Sequence, residues 1–196
     1  MEMCGGYASR PGTGVGFIKR APLTSADKLR LYCDLAAGHR GVELARRAAR
    51  LLVDGSLSPM ETALKMLLAD PRLYGSMGMR GVLLNCPIEV DAGTLGKARR
   101  RTYRCDLLWP DARVALEYDS DDNHASVTAL HTDAMRRLVM DAVGIDVITV
   151  TSNMVKDLGQ FRAFARQLAT KLGRRVPPPS DEFLARQESL HRMLLG

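Results

Sequence analysis

The stretch Arg104-Cys105-Asp106-Leu107-Leu108-Trp109-Pro110-Asp111-Ala112-Arg113-Val114-Ala115-Leu116-Glu117-Tyr118-Asp119 reads as two apolar strands joined by a tight turn, with acids planted where strands ordinarily bury apolar side chains. Side chains alternate along a strand, so Arg104, Asp106 and Leu108 share one face of the first, and Ala115, Glu117 and Asp119 one face of the second. Centring the hairpin on Asp111-Ala112, with Pro110 and Arg113 flanking the turn, sets Asp106 directly opposite Glu117. Facing Cβ atoms lie roughly 5 Å apart, and like charges at that distance repel. A divalent cation offsets such repulsion, and Mg²⁺ is commonly held by one or two carboxylates together with substrate phosphates. The structural alternative is an edge hairpin whose acids face water or pair with Arg99, Arg100, Arg101 and Arg104.

Working outward, 196 residues with 46% hydrophobic and 26% charged content describe an ordinary globular chain, long enough for one substantial core with arms. No apolar run approaches the ~20 residues of a membrane helix, and the first residues lack a basic then apolar leader. The expectation is a soluble cytoplasmic protein with no membrane partner. Cys4, Cys33, Cys86 and Cys105 show neither Cys-x-x-Cys pairs nor zinc-ligand spacing and read as reduced thiols. Lys and Arg outnumber Asp and Glu by 28 to 22, and the resulting +6 favours a polyanionic partner. With aromatics at 5%, base-stacking platforms are poorly supplied.

Residues 1 to 24, rich in Gly, Pro, Ser and Arg, read as an irregular arm. Helices are expected from Thr24 or Ser25 to Ala36, and from Val42 to Val53 with Leu44, Ala48, Leu51 and Leu52 inward and Arg46, Arg47 and Arg50 outward. Ser58-Pro59-Met60-Glu61 opens another, which ends at Asp70-Pro71. Strands follow at 82–90, 103–109 and 113–118, then a helix at 127–143, a β-branched strand at 145–151 and a helix from Met154 to Leu172. After Pro177-Pro178-Pro179 comes an amphipathic helix, Asp181 to Leu195. The order αβββαβα describes an α/β (α+β) fold with a mixed sheet of about four strands flanked by helices. The division expected is an N-terminal helical arm (1–57), a core domain (58–175) and a Pro-rich linker with a terminal helix (176–196).

That order, with Asp106 and Glu117-Tyr118-Asp119 near the ends of the second and third strands, resembles the PD-(D/E)xK nuclease superfamily, in particular its small branch related to very-short-patch-repair endonucleases. The similarity runs over roughly residues 58 to 173. It takes in Ser58-Pro59-Met60-Glu61, Asn85-Cys86-Pro87-Ile88, Arg104-Cys105-Asp106, Val114 to Asp119, His124, Asp133 to Arg136 with Leu138, and Gly144 to Thr151. The resemblance implies a restriction-endonuclease-like core and a metal-dependent DNA endonuclease or nickase using Mg²⁺ or Mn²⁺. Asp106 would be the main metal ligand, Glu117 the second carboxylate and Glu61 an accessory acid, with Asp119 and His124 edging the site. The chain departs from the superfamily where a Lys usually follows two residues after the Glu: here Asp119 stands. This departure motivates the alternative of a catalytically inactive DNA-binding or regulatory protein, for instance in a defence or toxin system.

Each residue has a structural reading beside the functional one. Ser58, Pro59 and Glu61 form a capping box that would stabilise a helix by about 1 kcal/mol without any chemistry. Asp133 and Arg136, three apart on a helix, suit an ion pair. Lys97, Arg99, Arg100, Arg101 and Arg104 form a basic loop that is either solvated or a track for DNA phosphates, to which Arg136 would add. The partner expected is DNA, with a protein partner or a second copy as further candidates.

Overall fold

The structure is a computed structural model that describes residues 1–10, 16–91, 101–120 and 136–196, with the backbone alone at Arg101. The described residues form two compact units, Met1–Ala63 and Leu64–Gly196.

In the first unit the opening residues are more ordered than their composition suggests. A 3-10 turn, Glu2–Cys4, leads into an antiparallel pair, β1 (Tyr7–Ser9) with β2 (Phe17–Lys19). Cys4 and Tyr7 are buried, and the Tyr7 hydroxyl donates to Thr62 Oγ1 at 2.8 Å. Tertiary anchoring of one aromatic ring thus overrides a turn-rich composition. Helix α1 (Ala26–Leu35) starts at Ser25, whose hydroxyl accepts from the Lys28 amide. Helix α2 is shorter than expected, Val42–Ala49, and its inward face is a different one. Leu44 is exposed and Ala48 with it, while Ala49 is buried and Arg46 half-buried, bonded to Glu43 and to Asp34. On so short a helix the guanidinium of Arg46 reaches the acids of its own first turn and of α1.

Helix α3 (Pro59–Leu68) begins in the first unit and ends in the second. Ser58 and Glu61 make the expected box: the Glu61 amide donates to Ser58 Oγ at 3.2 Å, and the Ser58 hydroxyl to Glu61 Oε1 at 3.0 Å. The second oxygen, Oε2, accepts from the Leu57 amide at 2.7 Å.

The second unit is a mixed α/β structure around a four-stranded sheet in the order β3-β6-β7-β8, with β3 (Leu83–Leu84), β6 (Leu107–Trp109) and β7 (Val114–Asp119) antiparallel and β8 (Asp146–Thr151) parallel to β7. A second ladder pairs β4 (Pro87–Val90) with β5 (Arg101–Arg104). The strands expected at 82–90 and 103–109 are each two pieces. Both ladders nevertheless keep one register, Leu84 facing Leu107 and Pro87 facing Arg104, so the interruption is a paired bend at Asn85-Cys86 and Cys105-Asp106. Asn85 takes φ +48°, which its short amide side chain tolerates, and its N–H still reaches the Asp106 carbonyl at 3.1 Å.

The turn between β6 and β7 is Pro110-Asp111-Ala112-Arg113, closed by the Arg113 amide on the Pro110 carbonyl at 3.0 Å, with Arg113 at φ +54°. Residues 136–142 form helix α4. Gly144, at φ +73°, ends it, and the Arg113 side chain donates to the Val143 and Gly144 carbonyls, a cation at a helix C-terminus. That contact ties the far end of the hairpin to the helix carrying Arg136. Cys105, Leu108, Ala115 and Met140 form the buried cluster under α4, with Tyr103, Ile145 and Val147 packed around it.

The helix expected from Met154 to Leu172 is two helices, α5 (Ser152–Lys156) and α6 (Leu158–Lys171), split where Asp157 adopts an extended conformation and caps the Gln160 amide. Helix α6 buries Phe161, Phe164, Ala165, Leu168 and Ala169, the spacing of one apolar stripe. Helix α7 (Asp181–Leu195) runs as expected, with Ser180 accepting from the Phe183 amide. Among the described residues no helix is long and apolar enough to cross a membrane.

Candidate functional site

Strand β6 pairs with β7 as Leu107 to Leu116, Leu108 to Ala115 and Trp109 to Val114, so one further step sets Asp106 across from Glu117 as the turn position requires. Asp106 is not in the ladder itself. The chain bends there, and the carboxylate takes the place of a backbone acceptor: Oδ2 receives the Tyr118 N–H at 2.8 Å. Asp106 is half-buried, and burial pushes its pKa above the ordinary carboxylate range, opposed by the Tyr118 amide and by the Arg136 charge.

The repulsion between facing acids is offset by a side chain of this chain. Arg136, at the start of the described part of α4, places Nη2 2.6 Å from Glu117 Oε1, and the same nitrogen donates to the Arg104 carbonyl. Its Nε is buried and has no hydrogen-bond partner among the described residues. Next along the helix, Arg137 donates to Thr149 Oγ1 at 2.7 Å, and Thr149 lies beside Glu117 in the β7–β8 register. The structure therefore brings together Asp106, Glu117, Arg136 and the Arg104 backbone, on the sheet face that α4 covers.

Cys105 belongs to this cluster, although neither spacing nor motif marks it. Burial, and then the negative charge of Glu117, push its thiol up to about 12, with Arg136 opposing. At that value about one part in ten thousand is thiolate near pH 8. We expect iodoacetamide to modify half-buried Cys86 while Cys105 stays unlabelled in the folded protein, read by peptide mass spectrometry. Labelling of both at equal rates would mean that Cys105 is not shielded in the folded protein.

The remaining residues fall elsewhere. Asp119 ends β7 and is exposed, as is Arg104. Glu61 lies in the first unit, with both carboxylate oxygens engaged at the start of α3. His124, Lys97, Arg99, Arg100 and Asp133 lie outside the described residues, as does the Arg101 side chain. Among the described residues no three His, Cys, Asp or Glu side chains group as metal ligands. Two carboxylates facing each other beside an arginine with an unspent donor do fit a cation that takes one or two carboxylates and completes its shell with water and phosphate oxygens.

The chain is 25% identical over 119 residues to an uncharacterized protein of Mycobacterium tuberculosis, found in two strains. That stretch is 61% of this chain and 39% of the mycobacterial protein, so the chain spans well under half of its relative's length. No protein-family model and no solved structure matches the chain.

Proposed function

We propose that the second unit is a restriction-endonuclease-like core acting on DNA phosphodiester bonds at Asp106 and Glu117, in the manner of the very-short-patch-repair branch of the PD-(D/E)xK nucleases. The observation that carries this reading is the convergence of two facing carboxylates with a guanidinium that already pairs with one of them. Apolar packing alone gives no reason to hold those three groups together, whereas phosphodiester chemistry uses anionic ligands for a cation and a cationic donor for phosphate. Asp106 and Glu117 would hold Mg²⁺ or Mn²⁺, which supplies an activated water and stabilises charge on the phosphate oxygens. The Tyr118 amide fixes the orientation of the Asp106 carboxylate through Oδ2, and Asp106 would hold the cation in that orientation. Arg136 neutralises Glu117 in the free protein, and its part-exposed guanidinium would turn to a non-bridging phosphate oxygen once a cation takes over Glu117. The basic residues 97–104 would follow the DNA backbone.

A second reading, a DNA-binding module without turnover, is favoured by one specific feature: the superfamily Lys position is an exposed acid, Asp119, and Glu117 is already paired with Arg136. Supercoiled plasmid incubated with the purified protein in Mg²⁺ or Mn²⁺ separates the two. Nicking or linearisation that EDTA abolishes is the expected result. Intact plasmid across both metals, together with gel retardation that weakens with salt, would replace the nuclease by the binding module.

A further inference from the structure

A concave surface of the same unit is built on different elements and shares no residue with the acid cluster. Its volume is about 450 Å³, and the arginines lining it are Arg72, Arg162, Arg166, Arg174 and Arg175, with no aspartate or glutamate among the described lining residues. Five like charges in one hollow repel, and among the described residues none of the five is ion-paired with an acid. Some of these cations are committed: Arg162 Nε donates to Gln187 Oε1 at 2.8 Å, and Arg174 Nη2 to the Arg80 carbonyl at 2.6 Å. Arg166 and Arg175 are exposed and form no ion pair among the described residues. Arg72 Cζ sits over the Phe183 ring, 3.9 Å from its centroid, and its buried Nη1 has no hydrogen-bond partner among the described residues.

The rest of the wall is apolar, from Val176 through the three prolines to Phe183 and Leu184. A bare inorganic anion would leave that wall unused. The combination calls for a ligand with phosphate at one end and a planar, weakly polar body at the other, and the volume lies within the range of small-molecule sites. Guanidinium forks match phosphate oxygens in pairs, and a guanidinium already stacked on an aromatic ring offers its outer face to a further planar group. We propose that this cavity binds a nucleoside phosphate, its phosphates on Arg166 and Arg175 and its base beside the Arg72–Phe183 stack. The source is either a free nucleotide or the phosphorylated end of a nucleic-acid strand.

Isothermal titration of the full chain with ADP, adenosine, pyrophosphate and a 5′-phosphorylated tetranucleotide tests this. ADP should bind at least about tenfold more tightly than adenosine or pyrophosphate, because each of those offers only half of the recognised chemistry. Arg166→Gln with Arg175→Gln should weaken ADP by about tenfold or more while the thermal midpoint stays unchanged, and Asp106→Asn should leave ADP binding as it is. Binding of the tetranucleotide but not ADP, lost in the same double variant, supports the site and assigns it to strand ends. Pyrophosphate binding as tightly as ADP, no binding of any nucleotide at millimolar concentration, or an unaffected double variant would overturn it.

Discussion

Asp106→Asn should abolish the proposed metal-dependent cleavage and leave the fold intact, whereas Asp106→Ala should lose that activity and weaken the fold as well. The two outcomes separate because Asp106 has two tasks. Its Oδ2 accepts the Tyr118 amide at the point where the ladder bends away, and an asparagine carbonyl oxygen preserves that bond. Alanine leaves a part-buried N–H without its acceptor, a cost of about 1–3 kcal/mol. Neither replacement supplies an anionic ligand, so cleavage should fall by roughly a hundredfold or more in both. The pH dependence gives an independent check. Burial raises the Asp106 pKa in the folded protein, so the native state holds this proton more tightly than the unfolded chain does. Stability therefore falls as pH rises from the ordinary aspartate range near ~3.9 through the folded value, and the deficit persists above it. The uncharged asparagine escapes that deficit. Thermal melts should show Asp106→Asn at or above the unsubstituted protein at neutral pH, the difference closing once the medium is acid enough to protonate Asp106. A variant that melts well below the unsubstituted protein at neutral pH would show that the ionised carboxylate is a structural anchor, and would remove the motive for a catalytic role.

The hairpin that carries these acids was legible because its determinants are local. A proline and an arginine around Asp111-Ala112 set the turn, strand alternation did the rest, and the observed register is the one those residues demand. The partner of Glu117 was not legible. Arg136 stands 19 residues beyond Glu117 in sequence, and helical spacing alone offered Asp133 as its neighbour. Only the docking of α4, held by Gly144 and the Arg113 side chain, brings the guanidinium to the sheet. The bend at Cys105-Asp106 was hidden for a related reason: an unbroken run of strand-compatible residues carries no mark of where a ladder is interrupted, apart from Asn85, which was read as strand. The arginine-lined cavity was equally out of reach, since Arg72 and Arg174 meet only through tertiary packing, although Arg162 and Arg166 do share one face of α6. The inward face of α2 departs from its apolar spacing because Arg46 reaches Asp34 and Glu43, contacts that apolar spacing does not encode.

Trp109→Ala should be the most damaging single substitution in the second unit, lowering stability by about 3–5 kcal/mol. Trp109 is 2% exposed, forms the last pair of the β6–β7 ladder with Val114, and donates its indole N–H to the Met79 carbonyl at 2.8 Å. Truncation removes the largest side chain of the core and strips a buried carbonyl of its donor. Against a total stability of about 5–15 kcal/mol for a typical domain, that loss shifts a large share of the molecules toward unfolding at growth temperatures. Trp109→Phe keeps most of the apolar volume and loses only the hydrogen bond, so its cost should be nearer 1–3 kcal/mol. Urea denaturation followed by circular dichroism gives both values. Trp109 is also the sole tryptophan, so the emission of the unsubstituted protein reports this site alone and should shift to the red on unfolding. The pair of variants reaches function as well. If the indole serves the site only by holding β6 in place, Trp109→Phe keeps plasmid cleavage wherever it remains folded, because Asp106, Glu117 and Arg136 are untouched. If cleavage disappears in a folded Trp109→Phe protein, the end of β6 takes part in the chemistry more directly than its hydrogen bond to Met79 implies.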